Sequence, residues 1–450
     1  RTGMTYAFNG RLQEAVPWLA SAVRFKAHLP PREKSLLGIY SDLFLRQDYA
    51  SFYTKMEAYL DAYPDDKEML TIYGSVADSF EGDSAKAFSK FEKALAVAPD
   101  FPLTLQLYAQ TLVHYDQYPR AVVLMERLRK AHPESPSPYS ELGRLYARMG
   151  KPDQALATYE DFRRRFPTRP DVIPRMVSLA IRKRDFERAR SYAREISEVV
   201  PGDPTWGRTQ ASLEANLDAW GGRFNRALDS YRRALDISLA AGDSMGVHNA
   251  YLILATYEKR FDRPDSALVY AEKSHRYRRP VEGMQYPALA VSIDPDQADA
   301  LRPALHEGLA RFKEVTPKSL WPLADGVAEF FEAQAARDTA AVIAYYRKVL
   351  DGPPSSRGNR EEELGVLLAR TGRFEEGLKT LTKARDEPIQ TSSAWTYLSL
   401  TYWLGVCREG LGDPEGAAAD YREVLRFWGD PEFEIEPIRG AREGLARLTG

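Results

Sequence analysis

A single cysteine, Cys407, stands among 450 residues. That excludes an internal disulfide and any cysteine-based zinc cluster. It lies in the apolar run TYWLGVCREG, where a buried structural thiol is the expected role. Six histidines (His28, His114, His132, His248, His275 and His306) are scattered, with no two at the spacing that sets a pair of metal ligands on one helix face. No metal site and no cofactor is expected, and His114 reads as an ordinary surface residue. The chain also lacks a GxxxxGKS/T phosphate loop, a GxSxG elbow and an HExxH pair. No catalytic residue can be nominated, and the chain reads as a non-enzyme. No apolar run approaches the roughly 20 residues of a membrane span, and no signal peptide is present. With 62 basic and 64 acidic residues the net charge is −2, which argues against nucleic acid or an anionic membrane as the main partner. No segment alternates at period two, so almost no sheet is expected.

What the chain does have is helical periodicity. Residues 136–167, PSPYSELGRLYARMGKPDQALATYEDFRRRFP, read as two helices and a turn. Tyr139, Leu142, Gly143 and Tyr146 share one face, and Gly150 closes the first helix. Asp153 can cap the second, where Ala155, Tyr159 and Phe162 recur before Pro167 ends it. Gly143 and Ala155 are the small residues that two antiparallel helices need where they approach closest.

The unit repeats. The residue that opens each second helix forms a ladder of Ala15, Phe52, Ala87, Ala121, Ala155, Ala189, Ala227 and Ala267, with steps of 37, 35, 34, 34, 34, 38 and 40 residues. Pro64, Pro99, Pro133, Pro167 and Pro201 close successive units at steps of 35, 34, 34 and 34, where a residue that cannot continue a helix belongs. Together with the aromatic, Leu-Gly, Tyr, Ala, aromatic and Pro positions of 136–167, this resembles the tetratricopeptide repeat family. The resemblance implies an all-α, right-handed α-solenoid of about ten to eleven helix pairs that binds proteins or peptides without catalysis.

The ladder suggests three parts. Residues 1–278 read as an N-terminal array whose first repeat is truncated. Residues 279–321, PVEGMQYPALAVSIDPDQADALRP among them, lose the phase and read as an irregular helical connection. The pattern returns over 322–450, is clearest in YWLGVCREGLGDPEGAAADYREVLRFW, and ends in a charged capping helix, EPIRGAREGLARLTG. Opening at Arg1, inside a half-finished repeat, the chain leads us to expect a domain, anchor or signal upstream.

In such an array the first helix of each pair lines the concave groove. Phase extrapolated from the central repeat nominates Phe8, Leu37, Ile72, Val76, Gln110, Arg144, Arg148, Arg182, Asn216 and Trp220 as groove residues. They run from apolar to basic, which suits a protein or peptide partner with an acidic segment. The stretch from Arg127 to Arg194 adds 17 Lys and Arg against 8 Asp and Glu. It reads either as a docking patch or as a solvated face interleaved with acids. Carboxylate clusters such as Glu361, Glu362 and Glu363 are expected to serve helix starts. Self-association through terminal repeats is open.

A narrower resemblance is to the repeat regions that follow kinase or cyclase domains in bacterial multidomain signalling proteins. It rests on LPPREKSLLGIYSDLFLRQDYASFYTKMEAYLDAYPDDKEML, SPSPYSELGRLYARMG and YREVLRFWGDPEFEIEPIRGAREGLARL. It implies a sensing or docking region of a larger protein. A cell-envelope subunit organising a membrane-associated complex is the alternative, so the compartment is open between cytoplasm and periplasm. An enzyme with a site at Asp294, Asp296 and His306 is the third reading.

Overall fold

The computed structural model describes all residues except 1–11, 47, 79–82, 278–282, 317–320, 352–359, 387–392 and 450. Among the described residues there are 24 α-helices and no strand, so the fold is an all-α solenoid. Several helices begin where the chain supplies a carboxylate. Asp48, Asp66, Asp83, Asp185, Asp243, Asp338 and Asp413 each cap the helix that follows by accepting from a backbone N–H in its first turn. In many of the described turns a left-handed residue precedes a six-to-one hydrogen bond. Gly150, with φ of 70°, precedes the bond from Lys151 N to Tyr146 O at 2.9 Å. Where the sequence offers no glycine, Asp116, Arg184, Asp262 and Arg337 take the same positive φ.

Two packing units result, residues 1–165 and 166–450. The loss of repeat phase at 279–321 lies inside the second. There the chain is helical, with Gln285–Ile293 and Ala298–Val315 packed on a core of Met284, Val291, Leu305 and Phe331.

In the first unit, α8 (Ser137–Arg148) packs on α9 (Pro152–Arg165). A Cβ on Gly143 would sit 2.1 Å from Tyr159 Cε1, so the missing side chain is what admits the ring. Gly405 stands in the same relation to Tyr421, at 2.6 Å.

The second unit returns on itself. Helix α12 (Pro204–Trp220) packs against α22 (Ala394–Gly410) as well as against its sequence neighbours. The seam is aromatic: Trp220 meets Tyr397 and Phe427, and Phe224 meets Trp428 and Phe433. Its polar groups are matched across the gap. Trp428 Nε1 donates to Ala219 O at 2.7 Å, Glu432 N to Gly222 O at 3.1 Å, and Ala394 N to Asn216 Oδ1 at 2.9 Å. Arg184 lies over Trp220 and Tyr397, 4.5 and 4.4 Å from their centroids, and faces Glu423 at 3.8 Å.

Candidate functional site

The helices of the second unit line a cavity of about 1740 Å³ that is open to solvent. Helical spacing supplies its walls. Leu252, Thr256 and Lys259 line it from α14 (Ser244–Arg260), at steps of four and three residues. Trp395, Ser399 and Trp403 do so from α22, each four residues after the last. Glu362, Glu363, Val366 and Arg370 come from α20 (Arg360–Arg370), Tyr345 and Tyr346 from α19 (Thr339–Leu350), and Ser292 from α16 (Gln285–Ile293).

Most charges on this wall are paired. Arg360 meets Glu363 at 2.6 Å, Arg370 meets Glu436 at 2.5 Å and Arg337 meets Asp296 at 2.9 Å. Glu362 is buried, and burial pushes its carboxyl above the ordinary value, only partly offset by Arg260 at 3.6 Å. Lys259 is exposed on the cavity wall, and the protein around it pushes its ammonium below the ordinary value. Burial raises the phenol of Tyr346. Aromatic rings beside placed charges can hold a ligand by contact area and orient it by ion pairing. Among the described residues no group of three or more His, Cys, Asp or Glu is placed to hold a metal ion.

The nominated groove residues are not brought together. Phe8 lies outside the described residues. Leu37, Ile72 and Val76 are core residues, at 7%, 3% and 6% exposure, packed among the helix pairs of the first unit; their apolar side chains gain more there than on a wet surface. Gln110 and Arg148 are exposed, and Arg144 is half-buried and paired with Glu141. Arg182 is half-buried. Asn216 and Trp220 sit in the seam, so the face nominated for a partner is taken there by the chain's own later helices.

The basic stretch is largely interleaved. Arg129 pairs with Glu126, Arg164 and Arg165 with Asp161, Arg169 with Asp171, and Arg190 with Asp218. Of the residues in the third reading, Asp294 caps the turn at Asp296, Asp296 pairs with Arg337, and His306 is exposed.

Sequence reasoning missed the cavity because its walls read as core. Residues 250–257 and 394–407 are largely apolar, and a helix of that kind reads as covered all round. That was the available signal.

Helix pairs with a small-for-large contact, an Asp cap and a left-handed turn define a helical-repeat scaffold. Models of the tetratricopeptide repeat match residues 81–145, 141–169 and 362–431. These segments carry tetratricopeptide repeats, and their presence supports a protein-interaction scaffold. Among solved structures the chain is similar to Naa15/Naa10 bound to HypK-THB, at 14% identity over 93% of this chain and 66% of that one, with a TM-score of 0.32. A tetratricopeptide repeat protein from Parabacteroides merdae matches at 14% identity over 60% of this chain and 98% of its own, with a TM-score of 0.35. Human IFIT1 matches at 14% over 95% and 89%, with a TM-score of 0.35. None of the three bears on what this chain binds. Among curated proteins, none matches the sequence. Among the described residues no helix is long and apolar enough to cross a membrane.

Proposed function

We propose that this chain is a non-catalytic docking scaffold that holds a segment of a partner protein, and that the segment lies in the cavity of residues 166–450. The observation that carries this reading is the cavity itself. At about 1740 Å³ it exceeds the roughly 300–1,000 Å³ of small-ligand pockets, and it combines aromatic walls with fixed charges. Such a surface suits an extended or helical segment, gripped by Trp403 and Tyr345 and oriented by the paired arginines.

The test is amide hydrogen exchange on the full chain with and without a purified partner. Protection is expected along α14, α20 and α22, and Val366→Arg, which puts a charge on the half-buried cavity wall, should abolish it. Protection confined to helices outside the cavity would sink the reading.

The same scaffold is proposed as the sensing or docking region of a larger bacterial signalling protein, supported by the sequence resemblance. A cell-envelope subunit is the other reading. The coding sequence upstream separates them: a kinase or cyclase domain supports the first, a membrane anchor the second.

A further inference from the structure

The cations on the cavity wall are not alike. Arg260, Arg337, Arg360 and Arg370 each face a carboxylate. Among the described residues, none lies within ion-pair distance of Lys259. Its ammonium donates to Ser292 Oγ at 3.0 Å, and that hydroxyl spends its own proton on Leu289 O at 2.7 Å. Ser292 is therefore a neutral acceptor that fixes the ammonium without compensating its charge. The position is held on two sides, by α14 and by α16, and the ammonium remains accessible from the cavity. Lys and Arg also outnumber Asp and Glu along the lining.

Lys259 is solvent-accessible on the cavity wall, so its charge is tolerated unpaired, and a carboxylate delivered there completes an ion pair without displacing one already made. Resting on the reading of the cavity as the seat of a partner segment, we propose that Lys259 receives a carboxylate of that segment and sets its specificity for acidic sequence. The surrounding protein lowers the basicity of Lys259, Glu363 opposes that and Arg260 adds to it. A structural lysine would show the opposite pattern, with a folded-state partner holding its charge in place.

The probe is a phage-displayed library of random 12-residue peptides panned on the full chain. Enriched sequences are then synthesised with amidated and free C-termini and measured by fluorescence anisotropy. The expected result is enrichment of Asp or Glu and binding at least tenfold weaker with Lys259→Met. Replacing the peptide's acid by its amide should weaken wild-type binding equally and leave Lys259→Met unchanged. If only the free C-terminus binds, the carboxylate comes from the chain end and the role of Lys259 stands. The melting temperature of Lys259→Met should equal or exceed that of wild type, a readout that a structural role would lower. Enriched peptides without a carboxylate, equal binding by Lys259→Met, or its lower melting temperature overturn the inference. Peptides lost with Val366→Arg but indifferent to Lys259→Met leave the cavity reading intact. Peptides indifferent to both variants, or no enrichment at all, remove both.

Discussion

The indole Nε1 of Trp428 donates a 2.7 Å hydrogen bond to the carbonyl of Ala219, a residue 209 positions earlier, and both are buried. An open solenoid needs no such bond, since each repeat touches only its neighbours. Here it pins the end of the helix that closes at Trp428 to the C-terminal end of α12.

Replacing Trp428 by Phe keeps most of the apolar area and removes the donor. The Ala219 carbonyl then keeps its bond from Gly222 N, at 3.2 Å, and loss of the indole donor costs about 0.5–1.5 kcal/mol. Urea unfolding should show that loss. Hydrogen exchange should rise at Asn216 and Trp220 together with α22 and α23 (Pro414–Trp428). Faster exchange in α23 alone would mean that the seam is not a cooperative element.

Gly143 faces Tyr159 so closely that any Cβ must displace the ring. Gly143→Ala should therefore destabilise the first unit by about 1–3 kcal/mol. Adding Tyr159→Leu should recover part of that loss, because the smaller side chain leaves room. Chemical denaturation of the single and double variants checks the coupling.

Arg337 holds φ at 52° in a turn where Gly372 and Gly412 do the same work. Its exposed pair with Asp296 contributes little. Relief of the left-handed strain, about 1–2 kcal/mol, exceeds the added freedom that glycine gives the unfolded chain, about 0.4–1 kcal/mol. Arg337→Gly should raise the melting temperature, and Gly372→Ala should lower it.

Asp66 caps α4 (Lys67–Val76) and also accepts from Tyr59 Oη at 2.6 Å and Arg32 at 2.8 Å. Burial alone would raise its pKa, but the hydrogen bonds from Tyr59, Arg32 and Met69 N outweigh it and hold the carboxyl below the ordinary value. A depressed carboxyl stabilises the fold above the unfolded value near 4 and loses that contribution as pH falls through the folded one. Asp66→Asn should cost about 1–3 kcal/mol at pH 7, and its gap from wild type should narrow below about pH 4. A gap independent of pH would show that packing, and not the charge, is responsible.

The local unit was legible because its determinants are local. Gly143 with Tyr159 and Gly150 at the turn announce a helix pair within about 30 residues, and the 34-residue step repeats it. The groove residues were harder, since a one-residue shift in phase turns a helix face by about 100° and carries Leu37 or Ile72 from surface to core. The seam was not legible at all. Trp220, Phe427 and Trp428 look like any other core aromatics, and nothing in their spacing says that residues some 200 apart are neighbours. Lys259 was invisible for the same reason, because its isolation is a property of the assembled wall.

The seam also has a consequence during synthesis. Phe186, Trp220 and Phe224 leave the ribosome long before Phe427, Trp428 and Phe433, which cover them. At about 5–20 residues per second the 209-residue delay lasts on the order of 10–40 s. Throughout that interval a strip of bare rings waits on the nascent chain, open to any chaperone or neighbouring polypeptide that reaches it first.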